Sequence, residues 1–308
     1  MKKKLNWLVV VICVSLFTSV VLLGCSSDSG TTKDIVTSAA AETSGAGTEY
    51  SPNAVETSDS AKVTIEEQVL VNQDDIIITA KEYVSDSIWG DGIKVLIENN
   101  SDTDVTVGCT ALIVNDYMVT DLFASEIAAG KKANDTIYFS SSELKASGID
   151  TVGKIEIYFH VYDSGTWDDI FDTDCITIQT SEYANMDTAL DEEGTVLYNE
   201  EGIKIVGKAV DENSFWGTAI LLYCENTSGQ NIGISVEDMS INGFMMTPFF
   251  YTTVYDGKKS IDDITVFSSD LEENGIESIE QVELEFHIYN EDTYDTIATS
   301  DVITFSVE

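Results

Sequence analysis

Polar and apolar residues alternate strictly along the stretch from Ile155 to Asp163. Positions 155, 157, 159 and 161 are apolar, whereas positions 156, 158, 160 and 162 carry groups that can form hydrogen bonds. This period of two predicts a β-strand with one buried face and one polar face. The same pattern returns 127 positions later, where His287 takes the place of His160. The recurrence predicts that one β domain has been duplicated in tandem.

The two copies align without a gap over residues 67–181 and 194–308, and residues 182–193 form the linker between them. Each copy is long enough to build its own core. Alternation within each copy predicts about seven strands, and one short helical turn with a Ser cap and a Gly stop. The predicted fold class is therefore all-β, with two tandem immunoglobulin-like β-sandwich domains.

Two local signals refine this prediction. The apolar parity changes between Cys109 and Leu112, which predicts a β-bulge or a strand crossing near Thr110. The second copy shows the same change before Met239. The dipeptide Asn242-Gly243, which lies between apolar residues, predicts a tight hairpin.

The first 24 residues combine a lysine-rich start, a long apolar run and a small residue, which is typical of a secretory signal. The segment Leu22-Leu23-Gly24-Cys25 resembles the lipobox of bacterial lipoproteins. That resemblance implies cleavage before Cys25, lipidation of its thiol, and a location on the extracellular side of the cell membrane. An uncleaved transmembrane anchor is the alternative. Residues 25–66 are rich in Ser, Thr and Gly and predict a disordered tether.

The lipobox, the tether and the repeated Asn-Gly and Phe-His-x-Tyr stretches together resemble the tandem immunoglobulin-like surface lipoproteins of Gram-positive bacteria. That group has no assigned activity. The resemblance therefore implies a fold and a location, but it supplies no functional residues.

The net charge of −40 and the complete absence of Arg narrow the range of partners. Phosphate recognition depends on bidentate Arg and on clustered positive charge, so nucleic acid is not an expected partner. Strong acidity is typical of a solubilising surface, and it also suits cations or cationic polymers. We expect the membrane, through lipidated Cys25, and an extracellular protein or cell-wall component as partners.

Three cysteines remain outside the signal and the lipobox: Cys109, Cys175 and Cys224. Each stands where the other copy has an aliphatic residue, so we expect small buried hydrophobes rather than a disulfide framework. A Cys109–Cys175 disulfide within the first copy stays open as an alternative.

The polar side of the histidine strand and the hairpin that follows it form the candidate binding edge in each copy. Its predicted contact residues are His160, Tyr162, Trp167, Asp168, His287, Tyr289, Tyr294 and Asp295. We expect each histidine to be hydrogen-bonded, because one imidazole per copy falls short of the three protein ligands of catalytic zinc. No metal site is predicted, although the Asp-rich hairpin leaves calcium open. Trp89 and Trp216 are predicted to fill the cores, with exposed stacking as the alternative.

The chain contains no Gly-x-Ser-x-Gly elbow, phosphate loop or His-Glu-x-x-His motif. We therefore predict no catalytic residues and no cofactor. The predicted function is a non-catalytic, lipid-anchored spacer or recognition module. The alternative is a glycan hydrolase, which needs only two carboxylates, or a calcium-dependent glycan-binding protein.

Overall fold

The computed structural model describes residues 32–36, 62–86, 89–186, 193–214 and 216–307. The signal, Cys25 and most of the predicted tether lie outside these ranges, so the predictions for them stay predictions. Within the described ranges, no helix combines the length and the apolar character that a membrane span requires.

Two short strands, β1 (Thr32–Lys33) and β2 (Ile35–Val36), precede the first copy. Within the described residues, copy 1 then contains ten strands and one helix. These are β3 (Gln68–Gln73), β4 (Ile76–Asp86), β5 (Gly90–Asn99), β6 (Val105–Val114), β7 (Tyr117–Val119), β8 (Ala124–Ile127), β9 (Lys132–Tyr138), helix α1 (Ser141–Ala146), β10 (Lys154–Asp163), β11 (Asp169–Asp172) and β12 (Ile176–Gln179).

Copy 2 repeats this order after a single 3₁₀ turn, Tyr183–Asn185. Its elements are β13 (Thr195–Glu200), β14 (Ile203–Ser214), β15 (Gly217–Asn226), β16 (Ile232–Ile241), β17 (Phe244–Met245), β18 (Tyr251–Val254), β19 (Lys258–Phe267), helix α2 (Ser268–Glu273), β20 (Gln281–Asn290), β21 (Thr296–Thr299) and β22 (Ile303–Val307). Each copy has more strands than the seven predicted, because hairpin strands such as β7 and β11, with three and four residues, are too short to show a clear alternation.

Each copy packs two sheets around an apolar core, which confirms the all-β sandwich prediction. In copy 1, one sheet has the order β3-β4-β5-β9. The other is centred on β6 and β10, with β7 and β8 pairing with β6, and β11 and β12 pairing with β10. The apolar side chains of β10 are fully buried: Ile155, Ile157, Phe159 and Val161. The two-residue period therefore identifies the buried face correctly.

The predicted bulge and hairpin are both present. The register between β6 and β10 shifts opposite Thr110, and the register between β16 and β20 shifts around Asp238 and Met239. Asn242 and Gly243 have φ angles of 51° and 82°, as a tight hairpin turn requires. Asn115 has a φ of 48° in the matching turn of copy 1. Local sequence is sufficient for these features because each depends on neighbouring residues alone.

The predicted helical turn is also present, and its glycine stop is confirmed in both copies. Gly148 has a φ of 68°, and its amide donates to the Lys145 carbonyl at 3.1 Å. Gly275 ends helix α2 with a φ of 66°. The predicted serine cap is not seen, because Ser140 precedes α1 without a side-chain capping bond.

The prediction of a disordered tether does not hold at Thr32–Val36. Strand β1 pairs with β14 and β2 pairs with β22, so this segment adds to both sheets of copy 2. Ile35 is buried in the core of copy 2. In copy 1 the matching place beside Thr180 is taken by Ile65, which directly precedes that copy. Copy 2 has Glu192 at the position equivalent to Ile65, and a carboxylate is a poor substitute for a core isoleucine.

The two copies meet at a junction between β7 of copy 1 and β19 of copy 2, which run parallel. The Lys259 amide donates to the Asp116 carbonyl at 3.0 Å. Tyr117 is buried against Tyr223, with ring centroids 6.4 Å apart, and the Lys259 ammonium lies 5.2 Å from the Tyr117 ring. The junction therefore joins one sheet of each copy into a single 11-stranded sheet within the described residues.

A group of charged side chains reinforces the junction. The Lys258 ammonium donates to Asp116 Oδ1 at 2.8 Å and to Glu156 Oε2 at 2.5 Å. Lys154 donates to the same Asp116 oxygen at 2.6 Å. Burial works against the charged form of Asp116, but the hydrogen bonds from the two lysines hold its pKa below the ordinary value. We call these four side chains the junction cluster.

Candidate functional site

In copy 1, three rings from the predicted binding edge form a continuous series on the polar face of β10. The His160 and Tyr162 ring centroids are 5.3 Å apart. Tyr162 and Trp167 stack with centroids 5.4 Å apart and planes 17° apart. We call this series, together with its counterpart in copy 2, the ring ladder.

Copy 2 repeats the ladder with different chemistry at its outer end. His287 and Tyr289 lie 5.6 Å apart, and Tyr289 stacks with Tyr294 at 6.1 Å. Tyr251 from β18 adds a further stacked ring 6.2 Å from Tyr289. A side chain at Gly233 would collide with the Tyr289 ring, so this glycine makes room for the ring across β16.

The outermost ring of each ladder lies on a left-handed backbone. Trp167 has a φ of 62° and Tyr294 a φ of 61°. Large residues rarely adopt this conformation, which costs about 1–2 kcal/mol relative to an ordinary one. Trp167 is nevertheless 52% exposed and Tyr294 is 68% exposed. Both copies thus hold a large ring in solvent at an energetic cost, which is the pattern expected of a contact residue.

Hydrogen bonds within the hairpin hold these rings in place. Asp163 Oδ1 accepts the amides of Gly165 and Thr166, and the Asp163 carbonyl accepts the Trp167 amide at 2.9 Å. In copy 2, Asn290 supplies the same contacts with a neutral side chain. The acid at position 163 therefore closes a turn, for which a negative charge is not required.

The histidines are hydrogen-bonded, as predicted, but to different partners. His160 Nδ1 lies 2.5 Å from Asp172 Oδ1, and Nε2 lies 3.6 Å from Asp169 Oδ1. His287 Nε2 lies 3.1 Å from the Thr296 hydroxyl. Across the described ranges, no group of three or more His, Cys, Asp or Glu side chains is placed to hold a metal ion.

Asp168 and Asp295 contribute to the edge through their backbones as well as their exposed side chains. The Asp168 carbonyl accepts the Asp163 amide at 3.0 Å, and the Asp295 carbonyl accepts the Asn290 amide at 2.9 Å. The structure thus places the six predicted rings on two equivalent ladders, one in each copy, and the two aspartates in the turns that carry the outer rings.

The prediction that Trp89 and Trp216 fill the cores is wrong. Trp89 is 57% exposed and Trp216 is 49% exposed. Each lies in the hairpin directly before a glycine with positive φ, beyond the end of the core. Strand β5 leads away from Trp89 toward the end of the sandwich where Val105 pairs with Asp163. Trp89 therefore lies at the opposite end from Trp167.

The cysteine prediction holds only in part. Cys109, Cys175 and Cys224 are all free, so the alternative Cys109–Cys175 disulfide is not formed. Cys224 is fully buried in the core of copy 2. Cys175 is exposed, because it lies in the connection before β12, where its sulfur is 3.7 Å from Glu156 Oε1.

A cleft of about 240 Å³ between the copies was not predicted. It is lined by carboxylates from both copies, including Asp121, Glu143 and Asp262. Burial raises the pKa of Asp121 to about 6 and that of Asp262 to about 7, and it also raises the pKa of Glu143. No sequence signal marks this cleft, because its walls belong to copies that meet only through tertiary docking.

No family model matches the chain, and no curated protein matches it in sequence. Several solved structures are similar to this chain, each with a low TM-score. The YadV chaperone is 14% identical over 73% of this chain and 98% of its own, with a TM-score of 0.23. A protein of unknown function from Porphyromonas gingivalis W83 is 10% identical over 76% of this chain and 94% of its own, with a TM-score of 0.21. The Salmonella enterica SafA pilin in complex with the SafB chaperone is 11% identical over 70% of this chain and 88% of its own, with a TM-score of 0.19. These scores carry no argument about function.

Proposed function

We propose that the chain is a non-catalytic, lipid-anchored recognition module of the cell surface, and that the ring ladders contact its partner. The observation that carries this proposal is the pair of exposed rings, Trp167 and Tyr294, each held on a left-handed backbone and stacked on a strand tyrosine. Stacked aromatic rings offer a large, rigid contact area at low entropic cost. The partner is an extracellular protein or a cell-wall component that presents flat apolar faces.

The anchor and the partner surface are tested separately. Replacement of Cys25 by Ser should abolish incorporation of a labelled fatty acid in expressing cells, and label retained by this variant would exclude Cys25 as the lipid site. Binding is tested by co-sedimentation of residues 26–308 with isolated cell-wall peptidoglycan. These residues contain the whole compact unit, which begins at Thr32.

The chain offers a matched control for the binding experiment. The double variant Trp167→Ala/Tyr294→Ala should lower binding about tenfold, because stacked rings are typical hot-spot residues. The double variant Trp89→Ala/Trp216→Ala removes equally exposed rings in the other hairpins and should bind as the parent does. Equal losses in the two variants, or no binding by the parent, would remove the wall component from the proposal.

A glycan hydrolase is the second candidate, because the cleft between the copies holds carboxylates with raised pKa values. A carboxyl group that retains its proton near neutral pH is suited to general acid catalysis. In the structure these groups accept backbone amides, as Glu143 does from Thr120 at 2.6 Å. Release of reducing sugar from wall glycan, lost on Asp262→Asn and on Glu143→Gln, would favour the hydrolase. Absence of turnover would favour the recognition module.

A further inference from the structure

The junction joins the edges of β7 and β19. Each of these strands has an equivalent in the other copy, and the edges of both equivalents, β17 and β9, have no strand paired to them within the described residues. Strand β7 of copy 1 pairs with β19 of copy 2. Among the described residues, the equivalent of β7 in copy 2, β17, pairs only with β16. The equivalent of β19 in copy 1, β9, pairs only with β5 and is an edge strand. Unpaired strand edges are templates for pairing with another chain.

The open edge of copy 2 exposes the side chains that the junction buries in copy 1. Tyr117 is 4% exposed at the junction, whereas Phe244 at the equivalent position is 47% exposed. Met245, which follows it, is 65% exposed. Neighbouring exposed apolar residues on an unpaired edge mark an interaction surface.

The charges that stabilise the junction also recur at the open edges. Lys131 and Lys132 of copy 1 stand at the positions of Lys258 and Lys259, and both are exposed. Glu283 of copy 2 stands at the position of Glu156. The carbonyl of Gly243 replaces that of Asp116 as the backbone acceptor at the same place in the turn.

We propose that the β17 edge of one molecule binds the β9 edge of a second copy of this chain, repeating the internal junction between molecules. Phe244 would pack against the outer face of the β4-β5-β9 sheet, and Lys131 would pair with Glu283. The two edges differ from each other, so the contact is head-to-tail. Such contacts generate open chains of molecules, or rings where the rotation closes, rather than dimers built on one self-complementary patch.

The intermolecular contact is weaker than the internal junction. The apolar surface that receives Tyr117 contains Val206, Tyr223 and Ile261, whereas copy 1 offers Thr79, Leu96 and Asn134 at the equivalent positions. The Asp116 carboxylate has no counterpart at Gly243. The net charge of −40 also produces repulsion between molecules, which physiological salt screens beyond about 8 Å.

Sedimentation of residues 26–308 at physiological salt tests this proposal. The weight-average mass should rise with concentration and pass the dimer value without a plateau. The single variants Lys131→Glu and Glu283→Lys should each lower the association constant about tenfold, because each places like charges in contact. An equimolar mixture of the two variants should recover association, because each open edge then meets an opposite charge.

Three results would overturn the proposal: a monomer at every concentration, a mass that saturates at the dimer, or single variants that associate as the parent does. Failure of the mixture to recover association would exclude the Lys131–Glu283 pairing and with it the head-to-tail register. Lys145→Glu is the matched control, because this residue belongs to helix α1 and to neither β9 nor β17, and should leave association unchanged.

Discussion

Replacement of Lys258 by Met is the sharpest test of the junction between the copies. The Lys258 side chain is only 14% exposed, and its ammonium donates to the carboxylates of Asp116 and Glu156. Methionine keeps most of the apolar stem and removes the charge and both hydrogen bonds. Breaking a well-buried ion pair costs about 3–5 kcal/mol because the remaining charge is left uncompensated. Lys154 still pairs with both acids, at 2.6 Å and 3.4 Å, so we expect a smaller loss of about 2 kcal/mol.

Urea unfolding of residues 26–308 at neutral pH measures this loss, and Lys131→Met is the control. Lys131 is the equivalent residue of copy 1 and is exposed, so its replacement should change the free energy of unfolding by no more than about 0.5 kcal/mol. Midpoint and slope should both be recorded, because a weakened junction that lets the copies unfold separately lowers the apparent slope. Equal effects of the two substitutions would refute the reasoning.

The same variant gives a pH-dependent readout with a defined sign. The lysines lower the pKa of Asp116, so its contribution to stability is present above the pKa of the unfolded chain. That contribution is lost as the pH falls through the lower pKa of the folded state. The stability difference between parent and Lys258→Met should therefore shrink in acid. A difference that stayed constant down to about pH 2 would show that Asp116 does not take part.

Three further predictions concern other parts of the fold. Ile35→Ala should lower the free energy of unfolding by about 2–4 kcal/mol, because the side chain is buried in the core of copy 2, whereas Ile35→Val should cost about 1 kcal/mol; urea unfolding reads both. Trp167→Gly should be about 1 kcal/mol more stable than Trp167→Ala, because only glycine adopts a φ of 62° without strain; equal stability would argue against strain. Burial raises the pKa of Asp262 to about 7, so its stabilising effect is complete below the ordinary value of 3.8 and is lost as the pH rises through about 7. Asp262→Asn should therefore be the more stable form at about pH 8, which urea unfolding at that pH measures; a less stable variant there would contradict the burial of the carboxylate.

The strand pattern, the bulge near Thr110 and the hairpin at Asn242 were predictable because each depends on residues close in sequence. The exposure of Trp89 was not, because alternation does not indicate where a strand leaves the core. The burial of Ile35 could have been found by comparing the copies. Copy 1 supplies Ile65 beside its last strand, whereas the sequence of copy 2 has Glu192 at the aligned position and leaves that place in the core to an apolar residue from elsewhere.

The junction could not be predicted because identical strand patterns have different surroundings in the two copies. Tyr117 and Phe244 occupy the same position of the same hairpin, yet one is covered and the other is exposed. Their burial is set by the neighbouring copy and not by local sequence. The same holds for Asp262, whose carboxylate lines the cleft between the copies, unlike the equivalent Asp135.

The two ring ladders differ in the side chains around the histidine but share the stacked pair formed by the strand tyrosine and the outer ring. His160 is held by Asp172 and lies near Asp169, both of which are threonines in copy 2. His287 instead has the Thr296 hydroxyl 3.1 Å from Nε2 and Glu237 Oε1 3.6 Å from Nδ1. The charge around the histidine therefore differs between the copies, while the strand tyrosine and the outer ring on a left-handed backbone occur in both. A partner that recognised the histidine and its acids would therefore meet a different arrangement of carboxylates in each copy. We therefore infer that the stacked ring pair is the contact element, and that His160→Gln should weaken binding much less than Trp167→Ala.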